Sequence, residues 1–569
     1  MISVIGVSLS VIRRKCSPHC VTARRDRTAT SGIVPLGSLG AAPPISAIIV
    51  WMDTAMKFDA RKHFPPGLLL AALGAASLLM GADGPILTPP APPSPKINGP
   101  RVYGARPGRP FLYRIPCTGE RPIRFSADGL PPSITLDADT GILRGRAPKR
   151  RGDYPVTLKA RNRHGSIQRI FKIVVGDTLA LTPPMGWNHW YTHYNRITDR
   201  LMREAADVMI AYGMADYGYQ YVNIDDCWMV KPNDPDPELG GAPRTPDGAI
   251  RPNRRFPDMA ALADYIHAKG LKFGIYTSPG PLTCAGFTGA YGHEEQDAGT
   301  FARWGVDFLK YDWCSYGKVP PGTDLASRQA PYRLMGGILA RLDRDIVLNL
   351  CQYGMSEVWK WGREVGGHSW RTTGDLGLEK GDRLPGFYHI GRRNARLWQY
   401  AGPGGWNDPD YILIGWVGNA HRIDEPPQYT TLTPDEQYSY MSMWSLMAAP
   451  LFYSGLMSKL DAFTLNVLLN AEVIEVNQDS LGRQARLLRD SEEELVLAKP
   501  LEDGSWAVGL FNLSEQEREM AVEFAELKLR GRQRVRDLWR QRDLGVFPRA
   551  YRTPVARHGV VLVRLWPAG

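Results

Sequence analysis

The chain has 569 residues, too many for one hydrophobic core and enough for about three or four domains. Its 43% hydrophobic and 22% charged content is ordinary for a soluble globular protein. The net charge of +11 is no general signature of nucleic-acid binding, because residues 96–176 hold 17 Lys/Arg against 5 Asp/Glu while residues 177–569 carry −6.

In chain order, residues 1–55 have no clear periodicity, and translation is expected to start at Met56, which makes 1–55 a non-native upstream extension. Residues 56–83 have the form of a secretory signal peptide: a basic start, an apolar run from Gly67 to Met80, then small residues to Ala82. The run is too short for a membrane span, and no long apolar segment follows. The mature protein is therefore expected to be exported, to the periplasm or beyond, without a membrane span. Past Met56 five cysteines remain, Cys117, Cys227, Cys284, Cys314 and Cys351, too few for a disulfide framework and wrongly spaced for structural zinc.

Residues 84–97 are a proline-rich linker, stiff and unable to build a core. Residues 98–176 bring short alternating segments, "FLYRIPC", "IRFSADG", "YPVTLKARN" and "IQRIFKIVV", cut by Gly and Pro at the spacing of a small β-sandwich. "GLPPSITLDADTGILRGRAP" followed by "GDYPVTLKARNRHG" resembles the Ig-like modules of exported bacterial proteins. The basic residues of this segment suit an acidic polymer or a membrane surface, but a solvated face is the expectation.

Over residues 181–476 strands alternate with helical stretches. Strand ends are predicted at "PPMGWNHW", "YQYVNIDDCW", "LKFGIYT", "VDFLKYDWC", "DIVLNLCQYG", "HSWRTTGDL", "GGWNDPD" and "PLFYSG". Amphipathic runs such as "TDRLMREAADVMIAYG" and "FPDMAALADYIHAKG" lie between them, with Asp/Pro starts and Gly stops. Eight strand ends in under 300 residues predict an α/β fold, a (β/α)8 TIM barrel, with its eighth helix at "DAFTLNVLLN". Residues 477–569 lose the alternation and read as a C-terminal antiparallel β-sandwich.

Polar strand ends of such a barrel converge at its C-terminal mouth. Here they are Asp225 and Asp226 after the second strand, Tyr276 on the third, Lys310 and Asp312 on the fourth, Arg371 and Asp375 at the sixth, Asp408 and Asp410 at the seventh. One such Asp alone is more often a helix cap or turn residue; six carboxylates and two cations on one rim point to chemistry. Divalent metals fit poorly, since no His stands beside Asp312 or Asp375 and Lys310 and Arg371 would repel an ion. Glycoside hydrolysis fits better: one carboxylate as nucleophile or base, one as acid, and further polar groups for the sugar hydroxyls. Lys310, two residues before Asp312 on the same strand face, is expected to lower that carboxyl's pKa.

The order of "PPMGWNHW", "NIDDCWM", "GIYTSPGPLTCAGFTGAYGHEEQDAGTFARWGVDFLKYDWC", "WRTTGDL", "GPGGWNDPD" and "VNQDSLGRQA" resembles glycoside hydrolase family 27, the α-galactosidase and α-N-acetylgalactosaminidase family. The resemblance implies a retaining mechanism through a covalent glycosyl-enzyme, with no metal or cofactor, on substrates carrying terminal α-galactose. It implies Asp312 as nucleophile and Asp375 as acid/base. Trp190, Asp225, Asp226, Tyr276, Lys310, Gln352, Arg371 and Asp410 would bind the sugar, with Asp225 and Asp226 on the 4- and 6-hydroxyls. Asp226 as a loop cap, Trp190 and Tyr276 as core, and Asp408 as a turn residue are the alternative readings. Arg371 would oppose protonation of Asp375 unless its charge is spent on a sugar hydroxyl or on the nucleophile.

Gln352 and Tyr353 replace the Glu and Trp of many relatives, which leans toward galactose over N-acetylgalactosamine, and Tyr411 replaces a Met and narrows the site. The family pattern also implies a Cys284–Cys314 disulfide, while Cys227 and Cys351 lose their partners to Asn195 and Gly367. Cys117 is expected as core of the Ig-like module. The competing readings are a β-L-arabinopyranosidase or an α-N-acetylgalactosaminidase on the same fold, and a non-catalytic glycan-binding surface protein.

Overall fold

Residues 85–319, 322–376, 383–418 and 425–568 are described by a computed structural model. The expected upstream extension and signal peptide lie outside these residues. Eight apolar segments become the parallel strands β1 (Met185–Asn188), β2 (Tyr221–Asn223), β3 (Lys272–Thr277), β4 (Phe308–Asp312), β5 (Val347–Cys351), β6 (Ser369–Arg371), β7 (Trp406–Asp408) and β8 (Leu451–Tyr453). They pair in the order β7-β6-β5-β4-β3-β2-β1-β8. Ile412, just past β7, closes the ring on β8: its N–H donates to Phe452 O at 2.8 Å and its carbonyl accepts from Ser454 N at 3.0 Å. Every residue of β3, β4 and β5 is buried, as expected of strands covered on both faces.

Helix starts follow the expected chemistry. Thr198 caps α1 (Asp199–Ala211) and Asp258 caps α2 (Met259–Ala268), each side chain accepting a backbone N–H three residues on. Next in the chain come α3 (Glu294–Trp304) and α4 (Leu325–Arg341), then α5 (Gly386–Ala395) and α6 (Pro434–Leu446), the last opened by a Thr433/Glu436 capping box. The helix expected at "DAFTLNVLLN" is α7 (Ala462–Leu468), capped by Asp461. The crossover from β5 to β6 carries only the 3₁₀ segment Met355–Lys360, in which Ser356 and Glu357 have positive φ.

The Ig-like module pairs a four-stranded with a three-stranded sheet over its own core, which includes Cys117, Phe111, Val156 and Phe171. Its basic residues are only in part the expected solvated face: Arg124, Lys149, Arg150, Arg161 and Arg163 are exposed, whereas Arg106, Arg114 and Arg144 grip the barrel floor, where the strands begin and the helices end. Arg144 donates to the carbonyls of His267 and Ala268 at the end of α2, at 2.8 and 2.9 Å, and Arg114 to Lys269 O at 3.2 Å. Arg106 donates to Leu339 O and Ala340 O at the end of α4, at 3.0 and 2.7 Å, and pairs with Asp345 at 2.5 Å. Arginines at helix C-termini meet the negative end of the macrodipole and fill carbonyls that have no intrahelical donor. The proline-rich stretch is tied down as well: Thr88 N–H donates to Asn466 Oδ1 at 3.1 Å, and Pro93 O accepts from Glu120 N at 2.9 Å.

The C-terminal sandwich shows why "LVLAK" reads as one apolar run. Leu495 and Leu497 join the barrel core, while Val496 and Ala498 face the sandwich's own core. Strand Glu494–Pro500 is therefore buried on both sides. Its six-stranded sheet runs antiparallel, and a second, two-stranded ladder pairs Arg518–Glu523 with Ala550–Val555.

Candidate active site

The strand ends converge on a cavity of about 90 Å³ at the barrel mouth. Its lining includes Trp190, Asp225, Tyr276, Lys310, Asp312, Arg371, Asp375 and Asp410. Register explains the gathering. Lys310 stands opposite Tyr276 on β3 and Asn349 on β5, and Arg371 opposite Asp408 on β7, so these strands deliver polar groups at one level. Past the strand ends the backbone bends sharply: Cys227, Tyr353 and Asp410 all have positive φ without being glycine. Such strain gathers at functional sites.

Asp312 ends β4 and is 4% exposed. Its Oδ1 accepts from Trp313 N at 2.7 Å and from the Tyr353 hydroxyl at 2.5 Å. Burial pushes its carboxyl above the ordinary Asp range, with Lys310 and these two hydrogen bonds pulling the other way and Asp375 adding to the rise. Lys310 thus lowers the pKa of Asp312 as expected, but burial outweighs it. The ammonium of Lys310 lies 2.8 Å from Asp225 Oδ2, because it reaches across to β2 while Asp312 stands two residues along its own strand.

Asp225 is the better-served carboxylate. Besides Lys310, its Oδ2 accepts from Asn188 Nδ2 at 2.9 Å and the Tyr411 hydroxyl at 3.0 Å. Burial works to raise its pKa, but Lys310 and the hydrogen bonds outweigh it and hold it below the usual Asp value. His189 supports from behind: its Nδ1 accepts from Asp225 N at 2.9 Å, and burial lowers its pKa to about 3, so it stays neutral. Lys310 also sits within 5.3 Å of the ring centroids of Tyr276 and Tyr411 and 5.9 Å of that of Trp190, an aromatic cage for its charge.

Arg371 is fully buried and bridges two carboxylates, Asp410 at 3.0 Å and Asp375 at 3.2 Å. Its charge is spent neither on the nucleophile nor on an open position in the cavity. Asp410 is held further by the Tyr191 hydroxyl and Leu376 N, both at 2.8 Å. Asp375 is the exposed member, with 39% of its side chain accessible, on the open side of the cavity.

Two residues expected at the sugar do not line the cavity. Asp226 turns into the loop: its carboxylate accepts from Cys227 N at 2.7 Å and Ala285 N at 3.0 Å, and burial pushes its pKa up to about 7. Gln352 is 1% exposed and donates to Met355 O at 2.8 Å within its own turn. Asp408 does hold a turn, accepting from Asp410 N and from Asn349, both at 2.9 Å. Tyr191, which lines the cavity, was outside the expected set although it follows Trp190 directly. The Cys284–Cys314 disulfide is formed, and Cys117, Cys227 and Cys351 are buried free thiols.

Comparison with known proteins gives the chain its relatives. The family model described as "Alpha galactosidase A" matches residues 182–479, the alpha galactosidase C-terminal beta sandwich domain matches 493–565, and an Ig-domain model matches 94–176. α-Galactosidase A of Cellvibrio japonicus is 34% identical over 69% of this chain and 93% of its own length. α-Galactosidase of Cyamopsis tetragonoloba is 39% identical over 63% of this chain and 80% of its own. The crystal structure of a Bacteroides fragilis protein provisionally assigned as an α-galactosidase superposes with a TM-score of 0.76 at 37% identity, covering 84% of this chain and 98% of that one.

Proposed function

The chain belongs to the α-galactosidase A family, glycoside hydrolase family 27, and from that premise we propose that it removes terminal α-D-galactose from oligo- or polysaccharides by double displacement. The observation that carries the reading is one mouth cavity bounded by a buried carboxylate, Asp312, and a solvent-facing one, Asp375. In the first step Asp312 attacks the anomeric carbon and Asp375 protonates the departing oxygen; in the second Asp375 takes a proton from water, which releases the sugar with its α-configuration retained. Asp225 and Lys310 receive the sugar hydroxyls at the cavity floor, and Trp190 offers the ring a flat apolar face.

Galactose over N-acetylgalactosamine is supported by the bulk of Tyr353, which lines the cavity with its hydroxyl on Asp312 and leaves less room there for a 2-acetamido group. A panel of p-nitrophenyl glycosides tests the choice. The α-D-galactoside should be cleaved fastest; faster cleavage of the β-L-arabinopyranoside or of the N-acetyl-α-galactosaminide would replace the proposed substrate. Export rests on the form of residues 56–83, and N-terminal sequencing of the protein from periplasm or medium should find a chain starting near residue 83.

A further inference from the structure

We propose that Tyr353 is a positioning residue for the nucleophile: its hydroxyl holds Oδ1 of Asp312 and leaves Oδ2 as the oxygen that attacks the anomeric carbon. The inference rests on the reading of Asp312 as the nucleophile. Both donors to this carboxylate, Tyr353 and Trp313 N, land on the same oxygen, at 2.5 and 2.7 Å. A carboxylate gripped on one oxygen presents the other in a fixed direction, which is what an in-line attack needs. The ammonium on the same strand is committed to Asp225, so the phenol is the close side-chain donor to Asp312.

The phenol is itself held. Tyr353 has φ +63°, a conformation that costs a non-glycine residue about 1 kcal/mol or more and persists only where surroundings enforce it. Its hydroxyl also lies 3.6 Å from each sulfur of the Cys284–Cys314 disulfide, so the loop staple and the nucleophile bracket one atom. The groups facing Asp312 from neighbouring elements are Lys310 on its own strand, Tyr276 on β3, Cys351 on β5, Arg371 and Asp375 from β6 onward, and Tyr332 of α4, whose hydroxyl reaches Asp312 O at 3.4 Å. Burial and Asp312 keep the Tyr353 phenol protonated, so it acts as a donor at every working pH.

The bond acts twice. It favours the ionised carboxylate before attack, and it favours the same carboxylate again when Asp312 departs from the galactosyl ester in the second step. Removing it should therefore raise the pH at which activity is lost on the acid side and slow the second step more than substrate binding.

The test is Tyr353→Phe, with kcat/KM for p-nitrophenyl α-galactoside measured against pH. The acidic limb should move up by roughly one pH unit, the size expected for one charge-assisted hydrogen bond, with kcat falling more than KM rises. A 2,4-dinitrophenyl α-galactoside should show a pre-steady-state burst in the variant. Site-specific 3,5-difluorotyrosine at position 353, which keeps the shape and strengthens the donor, should move the limb down, and it decides the matter if the Phe variant fails to fold. An unmoved limb in both, or a rise in KM alone, overturns the inference. If wild-type protein cleaves no α-galactoside, or a mechanism-based inactivator labels a residue other than Asp312, the nucleophile reading fails first and is seen to fail separately.

Discussion

Arg106→Ala should loosen the Ig-like module from the barrel without touching catalysis. The arginine side chain is 12% exposed and its partner Asp345 17%. Its guanidinium donates to Asp345 and to the carbonyls of Leu339, Ala340 and Arg344. Truncation leaves a half-buried carboxylate with only the backbone N–H of residue 106, at 2.9 Å, and takes one donor from two carbonyls at the end of α4 and from that of Arg344 just beyond it. Breaking a largely buried pair costs about 3–5 kcal/mol, and partial water access here argues for the lower end, about 3 kcal/mol. That is roughly a hundredfold in the docking equilibrium. The assay is limited proteolysis of the connection between module and barrel, near residues 176–181, together with thermal melting. The variant should be cut much faster and melt lower, Arg106→Lys should fall between, and Asp345→Ala should match Arg106→Ala. Turnover of a small galactoside should be unchanged, because the module grips the floor and the site is at the mouth. Wild-type proteolysis and melting in Arg106→Ala would refute the reasoning.

Asp375→Ala should lower kcat/KM about 10²–10⁴-fold on a galactoside with a poor leaving group and far less on a dinitrophenyl one, with added azide yielding α-galactosyl azide; equal losses on both substrates would remove Asp375 from the acid role. Lys499 is fully buried with no hydrogen-bond partner for its ammonium, and burial lowers its pKa from 10.5 to about 8. The unfolded chain holds that proton up to about pH 10.5 and the folded chain only to about 8, so stability rises with pH across that window, and below it the charge costs about 3 kcal/mol. Lys499→Met should thus raise the denaturation midpoint at pH 7, with the gain shrinking toward pH 10.5; an equal gain at both would show that packing, not charge, is responsible. Mass spectrometry of the unreduced protein should find one bridge, Cys284 to Cys314, and the double Ser variant should lose about 3–4 kcal/mol of constraint on the loop between them, read as faster proteolysis there.

The barrel was legible because its strands are short apolar runs with polar ends, and alternation alone puts Lys310 and Asp312 on one face. What lay beyond the strand ends was not. Asp226 and Gln352 lie after the last residues of β2 and β5 and just before the positive-φ residues Cys227 and Tyr353, and strand periodicity gives no direction for a side chain outside the strand. The direct ion pair of Lys310 is hidden for a related reason: sequence spacing relates it to Asp312, whose pKa it does lower, but only the fold brings it to Asp225. Likewise the basic composition of residues 96–176 is plain in the sequence, whereas the use of Arg106 and Arg144 in capping the ends of α4 and α2 depends on a docking that no local pattern encodes. Tyr353 stood out in the sequence only as a replacement; its hydrogen bond to Asp312 gives that replacement a role.

Asp312 is the residue on which the proposed double displacement depends. Incubation with an activated 2-deoxy-2,2-difluoro α-galactoside, followed by digestion and tandem mass spectrometry, should place one sugar on the peptide spanning Val306–Lys318, at Asp312, and Asp312→Ala should carry none. A label on any other residue, or an Asp312→Ala variant that retains full turnover, would contradict it.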